Sequence, residues 1–184
     1  MKLQNQGNNM SKTSRKQIDQ DEKKIMAELQ KNSYESLDVI AKRLKFSRQK
    51  IWRLIKRLET DHTIWGYTAI LDDDKRSLKS YTLMLKRSSK PMDEKTVEAI
   101  TSPRLQELTS NAGASLESIY FVHGEYDSVF TFTAPGIVQA KKFCEMLLET
   151  YPGIFARMNL METLVTVKKH HVANPNAKKL KEFL

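Results

Sequence analysis

The stretch "SRQKIWRLIKRLE", from Ser47 to Glu59, decides which kind of domain begins this chain. Four of its apolar residues follow the spacing i, i+3, i+4 and i+7: Ile51, Leu54, Ile55 and Leu58. That spacing places them on one face of a helix. The same stretch carries five lysines and arginines and a single acid, which is its last residue. Because like charges on one short helix repel each other, the sequence predicts an amphipathic helix whose basic outer face meets a negatively charged partner.

Basic residues extend upstream of this helix without any acid between them. Eight of them lie between residues 42 and 57: Lys42, Arg43, Lys45, Arg48, Lys50, Arg53, Lys56 and Arg57. The whole chain of 184 residues has a formal net charge of +9, so this segment holds most of the excess. Surface helices usually alternate the two signs of charge. A focused patch of one sign therefore favours a polyanionic partner, either nucleic acid or an anionic membrane surface.

Two further helices are predicted upstream, each beginning at a polar capping residue. Asp19 can cap the first helix, whose apolar stripe includes Ile25 and Leu29. Ser36 can cap the second, the tripeptide "KFS" forms a turn, and Ser47 caps the basic helix. A short helix, a tight turn and an amphipathic helix with a basic face form a helix-turn-helix. The second helix of that motif enters the major groove, which makes double-stranded DNA the predicted partner.

Six residues of the basic helix are predicted to contact DNA: Ser47, Gln49, Lys50, Arg53, Lys56 and Arg57. Gln49 and Lys50 lie in the first turn, where glutamine can pair with adenine and lysine with guanine. The three later cations are assigned to phosphates, which receive most protein–DNA hydrogen bonds. Ser47 caps the helix and also lies at an N-terminus that attracts phosphate. Trp52 is expected to cover the edge of the three-helix core.

Composition and periodicity divide the first part of the chain into three segments. Residues 1–17 are polar and basic without periodicity, and they are predicted to be a disordered tail. Residues 18–71 form the helix-turn-helix domain, which ends in a connecting strand over 64–71 because β-forming residues dominate there. Residues 72–78 are a charged, exposed linker and the predicted domain boundary.

The second half of the chain alternates strands and helices. Residues 79–169 predict the order β-α-β-β-α-β of a ferredoxin-like domain, with Ser102-Pro103 kinking or restarting its first helix. Residues 170–184 are a C-terminal tail whose apolar residues favour a short helix. The predicted fold class is therefore α+β, with an N-terminal helix-turn-helix domain followed by a ferredoxin-like domain.

The composition also narrows the class of protein. The one cysteine, Cys144, allows no intramolecular disulfide and favours a reducing compartment. No apolar run reaches membrane-spanning length and no signal peptide opens the chain, so the expected localisation is cytoplasmic. The four histidines lack metal-ligand spacing. We therefore expect neither a bound metal nor another cofactor.

Four stretches of the chain together resemble one family of transcription factors. They are "IDQDEKKIMAELQKN" (18–32), "LDVIAKRLKFSRQKIWRLIKRLE" (37–59), "IWGYTAIL" (64–71) and "VHGEYDSVFTFTAP" (122–135). In this order they are similar to the opening helix, the helix-turn-helix, the connecting strand and an effector-domain segment of the Lrp/AsnC regulators, the leucine-responsive regulatory protein and asparagine-regulator family. The resemblance covers residues 18–169.

The resemblance implies that the helix-turn-helix is winged and that the ferredoxin-like domain is an effector and oligomerisation domain. It also implies a sequence-specific DNA-binding transcriptional regulator rather than an enzyme, assembled through its C-terminal domain as a homodimer or octamer. It also implies a small-molecule effector, such as an amino acid, bound between subunits at Gly124, Tyr126 and Asp127. A tight hairpin turn explains the same residue types without any ligand.

Two features depart from the family pattern. His62 stands where the family commonly has glycine, just before the connecting strand. Histidine can adopt the left-handed conformation at some energetic cost, so a different exit from the basic helix is expected. The segment 102–114 is longer than the usual helix and loop, which changes the surroundings of any pocket beside it.

Two other functions fit the same scaffold. Siroheme decarboxylases resemble this family across both domains, and His123 is the residue that such an enzyme would use here. The excess charge on the basic helix argues against an enzyme, which has no need of it. A nucleoid-type architectural protein would instead bind DNA with little sequence specificity. The absorbance of the protein after addition of siroheme distinguishes the enzyme from a regulator. Competition with DNA of unrelated sequence distinguishes the architectural protein from a regulator.

Overall fold

A computed structural model of the protein describes residues 6–183, with the side chains of residues 6–13, 95 and 101 left undescribed. The chain folds into two compact units. The first contains the residues up to Ile70 together with Val167–Pro175. The second contains Leu71–Thr166 and the residues from Asn176 onward. No helix in the described range is both long and apolar enough to cross a membrane.

Three helices build the first unit: α1 (Gln6–Lys31), α2 (Leu37–Leu44) and α3 (Arg48–Thr60). Both predicted caps of the later helices form, since the Ser36 hydroxyl accepts from the Val39 N–H and the Ser47 hydroxyl from the Lys50 N–H. The buried core is made of residues at helical spacing: Ile25, Ile40, Ala41, Ile51, Leu54, Ile55 and Leu58. The apolar face predicted for the basic helix, α3, is therefore the face that packs on α1 and α2.

Helix α1 begins earlier than the sequence suggested. We predicted a disordered tail over residues 1–17, but residues 6–17 are helical and continuous with the packed part of α1. Residues 1–5 lie outside the described range. The packed part of the helix begins at Ile18, which lies against the core of the unit.

The exit from α3 does not differ in the way that the histidine suggested. His62 adopts φ 60°, the left-handed conformation that a glycine at this position would favour. The Asp61 N–H donates to the Arg57 carbonyl, and the Ile64 N–H donates to the Leu58 carbonyl at 2.9 Å. The chain is thereby turned back so that Ile64 packs on the three-helix core.

The connecting strand predicted over residues 64–71 is absent from the structure, where this segment has no regular secondary structure. Its side chains are largely exposed, and Trp65 has 96% of its surface accessible. A strand requires a neighbour to pair its backbone N–H and C=O groups, and none of the described strands pairs with this segment. Residues 64–71 have the composition of a strand, but a strand also needs a neighbouring strand to pair with.

The predicted linker over residues 72–78 is ordered. It contains a 3-10 turn at Asp74–Arg76, and the Ser80 hydroxyl donates to Asp73 at 2.9 Å. Asp74 pairs with Lys179 at 3.1 Å and with Lys79 at 3.2 Å. Hydrogen bonds from these two ammonium groups lower the pKa of the Asp74 carboxyl. The linker therefore forms part of the second unit.

The second unit has the strand and helix order that the sequence predicted. Its elements are β1 (Lys79–Arg87), α4 (Glu94–Thr101), α5 (Arg104–Asn111), β2 (Ser115–Phe121), β3 (Ser128–Ala134), α6 (Ile137–Thr150) and β4 (Phe155–Glu162). The strands are antiparallel in the order β2-β3-β1-β4. The predicted α+β class with a ferredoxin-like second domain is confirmed. Proline 103 separates α4 from α5, as expected for a residue that restarts a helix.

The two faces of this sheet differ. Tyr81, Leu83 and Leu85 of β1 are buried with residues from all three helices of the unit. The aromatic ring of Phe132 stacks on Tyr81 and meets Phe143 of α6 edge-on, with centroids 5.5 and 5.0 Å apart. The opposite face is only partly buried. It carries a cross-strand row that runs from β2 to β4: Tyr120, Val129, Met84 and Asn159.

The end of the chain departs from the predicted boundaries. We predicted that the last strand continues to residue 169, but β4 ends at Glu162. Two short strands, β5 (Lys168–Lys169) and β6 (Val172–Ala173), then form a hairpin. This hairpin belongs to the first unit rather than to the sheet domain. The tail that follows contains the expected short helix, a 3-10 turn at Ala177–Glu182.

Candidate nucleic-acid interface

One longitudinal row of α3 faces solvent. Gln49, Arg53 and Lys56 are exposed and spaced i, i+4 and i+7, so they share one side of the helix. We call these three residues the outer row. Arg53 has no ion-pair partner among the described side chains. Trp52, which we expected to cover the core edge, borders this row with 53% of its surface accessible.

The neighbouring cations of α3, Lys50 and Arg57, are paired with acids of α1, and we call them the inner pair. The Lys50 ammonium lies 2.6 Å from Asp21 and 4.0 Å from the centroid of the Phe46 ring. The Arg57 Nε lies 3.3 Å from Glu22 Oε1, without the alignment of a hydrogen bond. These contacts hold the inner pair against α1.

The Asp21 carboxylate is the most deeply buried partner of the inner pair, with 4% of its side chain accessible. The hydrogen bond from Lys50 is the largest cause that lowers the pKa of Asp21, although burial acts in the opposite direction. Gln17 donates a second hydrogen bond to the same carboxyl group at 3.1 Å. A charged and hydrogen-bonded carboxylate is therefore part of the helix α1–α3 contact.

A similar arrangement holds Arg43 of α2. Its guanidinium donates to both oxygens of Glu35 at 2.8 Å and also pairs with Glu28 of α1. Hydrogen bonds from Lys31 and then Arg43 lower the pKa of the Glu28 carboxyl. The segment 42–57 contains no acid, yet α1 and the α1–α2 turn bring acids to its cations. Part of the counter-charge that the basic patch requires lies within the protein.

Lys56 differs from the inner pair because its partner is on the same exposed surface. Its ammonium lies 2.7 Å from Glu59, one helical turn away. Exposed pairs of this kind contribute little to stability, so Lys56 can exchange Glu59 for a phosphate. Ser47 is exposed at the start of α3, where its hydroxyl caps the helix. Of the six predicted contacts, Ser47 and the outer row are exposed and form no ion pair with the described residues of α1. Lys50 and Arg57 pair with acids of α1, although Arg57 is also exposed.

The predicted effector residues lie in the loop between β2 and β3, residues 122–127. The Asp127 carboxylate accepts from the Arg87 N–H at 2.7 Å, and the Asp127 N–H donates to the Leu85 carbonyl at 2.9 Å. These bonds tie the loop to the end of β1 and give Asp127 a role in the turn. Gly124 does not need to be glycine in the single chain, since a Cβ there meets nothing within 4 Å and its φ is not left-handed.

Strand β4 contributes two side chains to this loop that the sequence did not reveal. Arg157 approaches the Glu125 carboxylate at 3.3 Å and lies 5.8 Å from the centroid of the Tyr126 ring. The Asn159 amide donates to the Tyr126 hydroxyl at 3.5 Å. The alternation of polar residues in "FARMNLME" was the available signal, but the strand register was needed to place them beside the loop.

The histidines and the cysteine of the described residues do not form a metal-binding or catalytic cluster. His123 is exposed in the same loop. Within the range that the structure describes, no group of three or more histidine, cysteine or acidic side chains is placed to hold a metal ion. Burial raises the pKa of the Cys144 thiol to about 11, which makes it a poor nucleophile.

Comparison with known proteins places this geometry among DNA-binding regulators. A family described as winged helix-turn-helix DNA-binding matches residues 19–64. The DNA-binding transcriptional activator DecR of Escherichia coli K12 is 24% identical over 137 residues, which are 74% of this chain and 86% of DecR.

Solved structures share the fold of both units. An AsnC family transcriptional regulator from Agrobacterium tumefaciens aligns with a TM-score of 0.59 at 21% identity, over 80% of this chain and 91% of its own. The feast or famine regulatory protein of Mycobacterium tuberculosis, in complex with L-methionine, aligns with a TM-score of 0.60 at 18% identity, over 80% and 92% of the two chains. The resemblance is thereby confirmed: the chain carries a winged helix-turn-helix DNA-binding domain and has the fold of the Lrp/AsnC transcriptional regulators.

Proposed function

We propose that this protein regulates transcription by binding specific double-stranded DNA with the outer row of α3. The observation that carries this proposal is the exposure of Gln49, Arg53 and Lys56 along one side of the second helix of a helix-turn-helix unit. Gln49, in the first turn, is suited to a bidentate contact with adenine. Arg53 and Lys56 are suited to phosphates, and Ser47 lies at the helix N-terminus, which also attracts phosphate.

The inner pair has a different part in this proposal. Lys50 and Arg57 fix α3 against α1, and through that contact they hold the outer row in a defined orientation. Their charges still add to the positive field that attracts DNA. Lys50, which the sequence placed among the base contacts, is thereby assigned to positioning of the helix.

The second unit supports assembly of the regulator as a homodimer or a larger oligomer. All three of its helices pack on one face of the sheet, which leaves the cross-strand row with Tyr120, Val129 and Met84 only partly buried. An apolar row of this kind is suited to burial against a second copy. Two copies present two recognition helices, which is how symmetric regulators bind paired half-sites.

The β2–β3 loop supports a small-molecule effector such as an amino acid. Asp127 and Arg157 offer opposite charges that match an ammonium and a carboxylate group. One of the proteins with this fold is in complex with L-methionine. The open space around Gly124 leaves room for a ligand or a second copy to approach the backbone.

Genome-wide mapping of the bound DNA, followed by titration of the full chain on an enriched site, tests the regulatory function. We expect a short shared sequence at the enriched sites, and binding that unrelated competitor DNA does not displace at equal concentration. Enrichment without any shared sequence would instead indicate a nucleoid-type protein. Absence of DNA binding, with a spectral shift on addition of siroheme, would indicate the enzyme, which the comparisons do not favour.

The effector site is tested by Gly124→Ala and Asp127→Ala in the same binding assay. Gly124→Ala should leave the melting temperature unchanged because its Cβ enters open space. If an amino acid binds at this loop, both variants should shift the concentration of that amino acid that alters DNA binding, while binding without effector persists. An unchanged titration in both variants would leave Asp127 with its hydrogen bonds to β1 and no other role.

A further inference from the structure

We propose that the hairpin β5–β6 is a second DNA-contacting element of the first unit and acts as its wing. This proposal rests on the proposed function, since it names a further part of the same DNA-binding surface. The hairpin comes from the end of the chain, yet Val167–Pro175 belongs to the compact unit that contains α1, α2 and α3. Its two strands are paired in the register Lys168↔Ala173 and Lys169↔Val172.

The hairpin provides a β-ribbon, which the helix-turn-helix segment itself does not contain. The family match described as winged covers residues 19–64, and the described structure has three helices and no strand in that range. The segment that follows it, residues 64–71, forms no hairpin either. In the described part of this unit, β5–β6 is the only paired β-ribbon. Antiparallel ribbons are known DNA-contacting elements.

The chemistry of the hairpin suits a phosphate backbone. Its sequence from 168 to 171 is "KKHH", and no acid occurs between Glu162 and Glu182. Lys168, His170 and His171 are exposed. Lysine ammonium and imidazole N–H groups are hydrogen-bond donors, and phosphates accept most of the protein–DNA hydrogen bonds. The three exposed donors of this tip, Lys168, His170 and His171, are therefore suited to DNA phosphates.

The turn between β5 and β6 is made of residues that do not favour its backbone conformation. His170 and His171 adopt φ 45° and 67°, which makes a two-residue loop with both central residues left-handed. Such loops strongly prefer Asn-Gly, and non-glycine residues are strained in this region. Strain retained at a loop tip is a feature of functional positions. Two exposed imidazoles in this strained turn fit a role in binding better than a role in stability.

The test compares Lys168→Glu with the matched control Lys181→Glu in the full chain, on the same DNA over a range of salt concentrations. Lys181 is exposed in the second unit, and its replacement changes the net charge equally. We expect Lys168→Glu to weaken binding severalfold and to reduce the slope of log Kd against log salt by about one for each hairpin that contacts DNA. The control should keep the wild-type slope. Equal slopes in the two variants, at equal melting temperatures, would overturn the proposal.

A second variant keeps the inference testable if Lys168→Glu perturbs folding. His170→Asn with His171→Gly gives the turn its preferred residues, so the melting temperature should be retained or raised. We expect weaker DNA binding from this more favourable turn, because both imidazoles are lost. Unchanged affinity would refute contact by the tip. If wild type binds DNA and Arg53→Ala/Lys56→Ala does not, while both hairpin variants bind like wild type, only the wing assignment fails.

Discussion

The outer row and the inner pair of α3 carry the same kinds of side chain in adjacent positions, yet their surroundings differ. Lys50 and Arg57 face acids of α1, and both of these acids, Asp21 and Glu22, are buried. Arg53 faces solvent, and Lys56 pairs only with an exposed acid of its own helix. A count of charges along the sequence treats these residues as equal. In the structure the inner pair contacts buried acids of α1, whereas the outer row forms no ion pair with the part of α1 whose side chains are described.

The two kinds of pairing also differ in what their loss would do. Removing a partner from a buried carboxylate leaves that group desolvated and without compensation, which is strongly destabilising. Removing one partner of an exposed pair leaves the other group hydrated and changes the stability little. Variants of the outer row should therefore affect DNA binding, and variants of the inner pair should affect stability.

The largest effect is expected from Arg53→Ala with Lys56→Ala. Both side chains lie opposite the buried face of α3, so the melting temperature should stay within a few degrees of wild type. Loss of two phosphate contacts in each copy of a dimer should weaken DNA binding by about 100-fold and lower its salt dependence. Fluorescence anisotropy with a labelled DNA site measures both. Wild-type affinity in this double variant would show that another face of the domain binds DNA.

A smaller effect, on stability, is expected from Lys50→Met. This change leaves the buried Asp21 carboxylate without its closest partner, which should lower the free energy of unfolding by about 1–3 kcal/mol. DNA affinity should fall less than in the outer-row variant. Chemical denaturation measures the loss. Adding Asp21→Asn should recover part of it, and equal losses in the single and double variants would contradict coupling between the two side chains.

The difference in stability between wild type and Lys50→Met should depend on pH, which provides a third test. The pKa of Asp21 is lowered below its ordinary value of 3.8 in the folded state. A group with a lowered folded pKa stabilises the protein above its unfolded pKa, and that contribution is lost as the pH falls through the folded value. The stability advantage of wild type over Lys50→Met should therefore be constant near neutral pH. It should shrink as the pH falls below 3.8 and then through the lowered folded-state pKa of Asp21. Melting temperatures of both proteins across pH show whether it does.

The smallest effect is expected from His62→Gly at the end of α3. Glycine adopts the left-handed conformation of this position without the steric cost that histidine has, so stability should rise by about 1 kcal/mol. Neither row of α3 is altered, and DNA affinity should be unchanged. This variant shows whether affinity follows stability in general. If DNA affinity rises together with the melting temperature, the effects of the outer row on binding and of the inner pair on stability cannot be separated.

Local patterns predicted most of the fold. The caps at Ser36 and Ser47, the buried face of α3, the break before α5 and the order of strands and helices along the second unit all depend on residues close together in sequence. These features need no knowledge of distant contacts.

Long-range contacts explain what the sequence missed. Asp21 lies 29 positions from Lys50, and only packing of α1 on α3 brings them together. The segment 64–71 has the composition of a strand, but no described strand pairs with it. The hairpin at the end of the chain returns to the first unit, which no periodicity in residues 168–173 could show. Arg157 and Asn159 reach the effector loop only through the register of β4 on β1.

The exposure of both tryptophans gives the protein two natural optical reporters. The chain contains only these two, Trp52 beside the outer row and Trp65 in the segment after α3. DNA seated on α3 changes the solvent around the first indole, whereas a neighbour that covers the segment 64–71 changes the solvent around the second. Replacing either one by phenylalanine leaves a protein whose emission maximum reports a single event. The two processes can therefore be followed separately in solution without an attached label.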